Sequence, residues 1–456
     1  MQDFNNIKKI HFIGIGGISM SGLAEIILTR GISVSGSDRS HSPVTEKLEK
    51  LGAYIAYSQC AKNITDDIDL VVYTAAIHPD NEEYAEAVRK NIPMMVRGDF
   101  LGLIMKKFKT AIGVSGTHGK TTTTSMISHI LLEAEKDPTI LVGGMLPAIK
   151  GNIRVGHSDT FLTEACEYTN SFLSFFPTVE VILNVTEDHM DFFKDLDDIR
   201  SSFRRYVEIL DKNGILVING DIENHEYFYE GLPCKVITFG HNPSNTYSAA
   251  NIVYDRFARP TFDLIKDGET LTSVTLSVPG EHNVFNSLSA IAVGIAIGIP
   301  MKTIKTGLLS FTGIGRRFQI RGEFDGVTVI DDYAHHPDEI DATLSVVAKY
   351  PKNRVWCVFQ PHTFTRTKAF LKDFARSLSN ADNVILADIY AARETDTLGI
   401  SSLTLKDEIQ KLGKTCYYFP SFEEIKNFLK KSCSHGDLVL LMGAGDIVNI
   451  GDMLLS

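Results

Sequence analysis

Short apolar runs rich in β-branched residues alternate with longer stretches of helical spacing along almost the whole 456-residue chain. That alternation restricts the fold to α/β domains built on mostly parallel sheets, because a parallel pair needs a helical crossover between its strands. The first third reads as strand Ile7–Ile13, helix Ser19–Arg30 with Gly31 as its C-terminal cap, strand Ile32–Ser35, and strands near Leu70–Thr74 and Met94–Val96. It makes a Rossmann-like unit over 1–107. A second start at Thr110–Ser115 feeds a glycine-rich turn and a helix from Lys120, and strands at Thr160–Ala165 and Val181–Val185 continue it. Between 247 and 278, Tyr, Thr and Val alternate with polar residues around Asp267-Gly268, the pattern of an antiparallel insertion. Helices at Asn283–Ile297 and Met301–Phe311 close a central domain, 108–314, with a mostly parallel P-loop ATPase-like sheet. Strands Val327–Ile330, Val355–Phe359, Val384–Leu386 and Leu438–Leu441 give a second Rossmann-like domain over 315–456.

Composition narrows the function. A net charge of −11 argues against a nonspecific nucleic-acid binder. The opening MQDFNNIKKIHF has no apolar signal core, and the longest apolar run, Ala290 to Ile299, is glycine-interrupted and about half a membrane span. Six cysteines without a CxxC pair point to neither disulfides nor zinc, so a reduced cytoplasm is the expected compartment. Either a monomer or a homodimer is compatible with the sequence.

The most informative segment is GVSGTHGKTTTT, Gly113 to Thr124. Glycines free backbone N–H groups to cradle phosphates, and a helix N-terminus adds a favourable dipole. Gly116, Thr117, His118, Gly119, Lys120, Thr121 and Thr122 are therefore read as a nucleotide-phosphate loop, with Lys120 on the β/γ-phosphates and the Thr121 hydroxyl suited to Mg²⁺. Strict Walker spacing would need glycine where Val114 stands. A second glycine turn, GIGGISMSG from Gly14, follows the first strand, but Ser19 replaces the third glycine of a dinucleotide fingerprint, and Asp38 stands where an acid would meet a ribose. Alone, that turn would support an NAD(P)-dependent oxidoreductase; a separate phosphate loop argues against it.

GTHGKTTT resembles the loop of the Mur ligase family, to which the folylpolyglutamate synthetases are related. TEACEYTNSFL (Thr163–Leu173), NVTEDHMDFF (Asn184–Phe193), GEHNVFN (Gly280–Asn286), GIGRRFQ (Gly313–Gln319), DDYAHHPDEI (Asp331–Ile340), FQPHTFTRT (Phe359–Thr367) and GAGDI (Gly443–Ile447) follow in the family's order. They resemble the branch that joins L-alanine to UDP-N-acetylmuramate in peptidoglycan synthesis; a murein tripeptide ligase is the nearest alternative. The resemblance implies an ATP-dependent, amide-forming ligase that activates a carboxylate as an acyl phosphate, with ATP as co-substrate and two Mg²⁺ ions.

It also implies roles. Glu164 is a metal ligand at a strand end, with Glu167 three positions on; the plainer reading of both is a surface charge. His189 contacts a second Mg²⁺ or the incoming groups, although imidazole is an unusual ligand for that ion. Asn286, with Asn283 on the same helix face, contacts adenine; the plainer reading of Asn283 is a helix cap. Arg317, of the Arg316-Arg317 pair, reaches the γ-phosphate, and Asp332 meets the ribose. Tyr333 or His336 faces the substrates, and His362 and Arg366 line the alanine and carboxylate region, with Thr363 where some members have a second arginine. The turn Gly14, Ile15, Gly16 and Gly17 takes the UDP diphosphate, with Ser37 and Asp38 near the uridine and His78 or Arg97 as weaker contacts. Cys166 reads as a packed thiol rather than a nucleophile.

Overall fold

The computed structural model describes the chain apart from residues 1–6, 75, 191, 393 and 397. The first six residues of the segment tested for an export signal, and Asp191 of the Asn184–Phe193 motif, thus lie outside the described residues. The chain forms two compact units. The first comprises Met1–Asp188, Asp195–Phe239 and Ser289–Gly307; the second comprises His189–Lys194, Gly240–Leu288 and Leu308–Ser456.

Within the first unit, β1 (Lys9–Ile13), β2 (Ser33–Ser37), β3 (Tyr54–Ala56), β4 (Leu70–Tyr73) and β5 (Met94–Val96) form a sheet in the order β3-β2-β1-β4-β5. Every neighbouring pair is parallel. Helix α1 (Ile18–Thr29) follows β1 and stops as read, with Gly31 at φ 77° just past it. Helices α2 (Pro43–Lys50), α3 (Glu82–Arg89) and α4 (Arg97–Met105) complete the crossovers. A Cβ on Gly102 of α4 would overlap the Ser174 carbonyl, so the bare glycine permits that backbone approach.

The unit's second sheet contains β6 (Thr110–Ser115), β7 (Thr139–Leu146), β8 (Gly151–Arg154), β9 (Thr160–Glu164), β10 (Val179–Ile182), β11 (Ile215–Asn219) and β12 (Lys235–Gly240), in the order β12-β11-β10-β6-β9-β7-β8. It is parallel except where β8 folds back on β7. Helix α5 (Lys120–Glu133) follows β6, and α6 (Leu196–Val207) precedes β11. The strand read as Val181–Val185 is instead β10, ending at Ile182. Beyond it, Asn184 turns to hydrogen-bond the loop after β6 and leaves the ladder.

In the second unit, β13 (Tyr247–Tyr254), β14 (Pro260–Lys266) and β15 (Glu269–Thr275) form the expected antiparallel ribbon. Asp267 at φ 50° and Gly268 at φ 84° make the tight turn, since a two-residue hairpin of this hand needs both in the left-handed region. After α7 (Glu281–Ala296) and α8 (Met301–Ser310), of which Ser289–Gly307 belongs to the first unit, come β16 (Gln319–Phe324), β17 (Val327–Asp332), β18 (Val355–Phe359), β19 (Asn383–Leu386), β20 (Cys416–Tyr418) and β21 (Leu438–Met442). Their order is β16-β17-β21-β18-β19-β20, parallel except for edge strand β16. Alternate residues of β18 enter opposite cores: Cys357 and Phe359 on one face, Trp356 and Val358 on the other. Burial on both faces explains why these strands read as unbroken apolar runs. Helices α9 (Pro337–Lys349) and α10 (Phe364–Ala369) pack in this region.

Candidate active site

Strand β6 lies between β10 and β9, so its C-terminal end opens where the two flanking strands also end. Loops at this edge are where α/β sheets gather ligands. Val114, the residue that breaks Walker spacing, is fully buried in β6; the loop proper starts after Ser115. Gly116 adopts φ 135°, and a Cβ there would press on Leu183 and the Asn184 amide. Gly119, at φ 85°, caps α5 in a left-handed conformation and delivers Lys120 as its first residue.

The segment after β10 clamps the loop. The His118 amide donates to Asn184 Oδ1 at 2.8 Å, and Asn184 Nδ2 donates back to the His118 carbonyl at 3.0 Å. Thr117 Oγ1 accepts from the Thr186 amide at 2.9 Å. Asn184 was legible only as a member of a motif; its clamping role depends on β10 lying beside β6.

The end of β9 and the turn beyond it supply acids. Thr121 Oγ1 donates to Glu164 Oε2 at 3.0 Å, and the Gly143 amide donates to Glu164 Oε1 at 2.5 Å. A hydroxyl and a carboxylate are hard oxygen donors, the set Mg²⁺ prefers. Lys120 Nζ donates to the Gly116 carbonyl at 2.5 Å, to the Thr117 carbonyl at 3.0 Å, and to Glu167 Oε1 and Oε2 at 3.1 and 3.0 Å. Burial opposes charge on Lys120, but the Glu167 carboxylate outweighs it and raises its pKa. Glu167 is 2% exposed, which corrects its reading as a surface charge. Burial, with Glu167 alongside, pushes the Cys166 thiol up, as suits a packed thiol rather than a nucleophile.

At the N-terminal turn the structure brings Asp38 onto the glycines: its Oδ2 accepts from the Gly16 amide at 2.8 Å. The Gly14 and Ile15 amides both donate to the Ser37 carbonyl at 2.9 Å, and Gly17 donates to Gly14 at 3.2 Å. All four turn amides are thus engaged within the protein. Ser37 spends its hydroxyl on buried Glu83, at 2.6 Å. Burial lowers the pKa of Arg97, at the start of α4.

His78 and Thr122 also belong to the first unit, and the second unit holds the other residues read from sequence. Asn286 Nδ2 donates to Asn283 Oδ1 at 3.2 Å, and Asn283 Nδ2 donates to the Pro279 carbonyl at 2.7 Å. His189 sits at φ 54°, its carbonyl accepting from the Phe192 and Phe193 amides. Arg316 is tied to Asp331 at 3.2 Å and to the Gly443 carbonyl at 2.7 Å, whereas Arg317 makes a longer 3.5 Å contact with Glu339. Both guanidinium groups lie over the Tyr333 ring, at 5.0 and 5.2 Å. Asp332 accepts from the Phe318 and Ala334 amides, each at 2.8 Å. His336 caps α9, accepting from the Asp338 amide at 3.4 Å. Arg366 Nη1 lies 3.3 Å from His362 Nδ1, although His362 precedes α10. Two residues here escaped sequence reading. The Tyr390 ring stacks on His362 at 5.7 Å, and Glu394 accepts from the Phe364 and Thr365 amides at 2.7 and 3.0 Å. No local pattern marks them, because the contacts span about thirty residues of chain.

Three family models match the chain: the Mur ligase family catalytic domain over 9–109, the Mur ligase middle domain over 114–294, and the Mur ligase glutamate ligase domain over 316–445. The sequence is 59% identical, over 99% of both chains, to the UDP-N-acetylmuramate–L-alanine ligase of Lachnospira eligens. It is 54% identical, again over 99% of both, to the enzyme of that name from Agathobacter rectalis. The crystal structure of the UDP-N-acetylmuramate-alanine ligase of Thermotoga maritima is similar with a TM-score of 0.80 at 31% identity, covering 98% of each chain.

Proposed function

This chain belongs to the Mur ligase family, and from that premise we infer that it joins L-alanine to the lactyl carboxylate of UDP-N-acetylmuramate at the expense of ATP, in peptidoglycan precursor synthesis. The observation that carries this reading is 59% identity over 99% of the chain to a ligase of that name. A cytoplasmic location goes with it; among the described residues no helix is long and apolar enough to cross a membrane. We take 1–107, 108–314 and 315–456 as the working division into sugar-nucleotide, ATP and C-terminal domains.

A carboxylate is a poor electrophile, and its condensation with an amine is uphill in water. One lactyl carboxylate oxygen attacks the γ-phosphorus of ATP, the bond to the β–γ bridging oxygen breaks, and ADP leaves. The alanine amine then attacks the acyl carbon, the acyl C–O bond breaks, and phosphate departs with the carboxylate oxygen. Lys120 and Arg317 are proposed to stabilise charge on the transferred phosphoryl. Thr121 and Glu164, already in contact, would hold Mg²⁺, with His189 assigned to a second ion on family resemblance. When bound, the metal supplies charge neutralisation at the phosphates. Asn283, Asn286 and Asp332 are assigned to the nucleoside, and Tyr333, His336, His362 and Arg366 to the amino acid and carboxylate. His189 and His362 are the candidates for taking the amine proton. With the Gly14–Gly17 amides engaged internally, the first turn of α1 is left as the main-chain donor to the sugar nucleotide's diphosphate.

Two experiments test this reading. With ¹⁸O in the sugar carboxylate, label should appear in the released phosphate; unlabelled phosphate would remove the acyl-phosphate step. K120A should abolish ligation and weaken ATP binding while UDP-N-acetylmuramate still binds. Loss of both ligands together would mean the loop is structural.

A further inference from the structure

Lys120 is the loop's phosphate-facing cation, yet its ammonium is committed inward. It donates to two carbonyls of its own loop and lies within 3.1 Å of both oxygens of Glu167. Its side chain is 15% exposed and that of Glu167 only 3%. This is a nearly dry ion pair, in which attraction is screened far less than at a surface. An ammonium has three protons to donate, and all three have acceptors here. A terminal phosphate can be held by Lys120 only if some of these bonds are surrendered.

Glu167 stands apart from the Thr121–Glu164 pair. Glu164 is occupied by Thr121 and the Gly143 amide, whereas the contacts of Glu167 described above go to Lys120. The segment that follows has an irregular backbone, with Thr169 and Asn170 at φ 55° and 57° and the Asn170 amide donating to the Glu167 carbonyl at 2.8 Å. Glu167 is therefore set by a shaped turn and not by a freely moving surface stem.

We propose that Glu167 is a positioning residue that competes with the nucleotide for Lys120: it holds the ammonium at the loop while the site is empty, yields it to the incoming phosphates, and reclaims it as product leaves. The proposal rests on the ligase reading only in taking the loop to bind ATP. Two consequences follow. Glu167 opposes nucleotide binding, because phosphates must displace a buried carboxylate and then sit near it. It also promotes ADP departure, because the ion pair re-forms behind the leaving product. A step of that kind limits turnover in many enzymes that bind tightly.

The test is E167Q, which keeps the shape and an acceptor oxygen but removes the charge. In ADP titrations of the full chain by calorimetry, without Mg²⁺, E167Q should bind roughly three- to tenfold more tightly than wild type, the range expected of one partly screened charge. Ligase kcat should fall together with KM for ATP. A merely structural role predicts the opposite sign, since a disordered loop binds ADP more weakly. Unchanged or weaker ADP binding by E167Q overturns the proposal, as does normal ADP binding coupled to a raised Mg²⁺ requirement, the signature of a metal ligand. If K120A left ATP binding untouched, the ligase reading of the loop would fall instead, so the two failures are distinguishable.

Discussion

Asp332 and His335, three residues apart in the second unit, are displaced by burial in opposite senses. Burial pushes the Asp332 carboxyl up to about 6 from 3.8, although Arg317 and two amides pull the other way. It pushes His335 down to about 4 from 6.5, although Glu339 opposes this. For Asp332 the folded state binds its proton more tightly than the unfolded state. Its contribution is complete below pH 3.8 and is lost as pH rises through about 6. For His335 the folded state holds the proton less tightly, so its contribution is present above pH 6.5 and is lost as pH falls through about 4. The two slopes oppose each other over nearly one window. D332N should therefore show a melting temperature that falls on acidification across it. H335N should show one that rises, and wild type should be flatter than either. Parallel profiles in all three proteins would refute the assignment. Candidate site residues were legible wherever the pattern that marks them is local. Lys120 and Thr121 announce themselves through the glycines before them, and Glu164 through the end of an apolar strand. Glu167 and Asn184 were not, because their partners are set by β9 and β10 flanking β6, an order that no local pattern encodes.

Among the elements, two strands buried on both faces were read to the residue, Thr110–Ser115 as β6 and Val355–Phe359 as β18, whereas β10, equally buried, was read two to three residues late. Short edge strands such as β3, β8 and β16 went unread, since three to six residues with one solvated face carry little pattern. Helix contacts made through glycine were equally hidden. On α4, a Cβ at Gly102 meets the Ser174 carbonyl, which cannot yield without moving backbone; on α1, a Cβ at Gly22 meets mainly the flexible tip of Ile153. Both positions would gain helix propensity of about 1 kcal/mol from alanine. G102A should nonetheless destabilise the protein by about 1–3 kcal/mol or more, the cost of overpacking, while G22A should lie near neutral. Urea denaturation of the two variants decides the order.

At the scale of the whole molecule, the alternation of strand and helix was enough to give three α/β sheets, and the antiparallel ribbon at Asp267-Gly268 was visible from its turn residues. Which ligase of the family this is depends on the chain-long match rather than on any single loop. Phosphate release with UDP-N-acetylmuramate and ATP should be strongest with L-alanine in a panel of amino acids, and the intact murein tripeptide should not replace it. Preferred use of the tripeptide would transfer the protein to the alternative activity. The central sheet also has a quieter margin. The loop, the acids and the clamp all leave from the C-terminal ends of β6, β9 and β10, whereas Lys109, 86% exposed and paired with Asp159, marks the opposite side. At about 3.3 Å per residue, the six residues of β6 separate the two by roughly 20 Å. That distance makes the Lys109 side a natural place to attach a fluorescent dye, a surface tether or a fusion partner to the working enzyme.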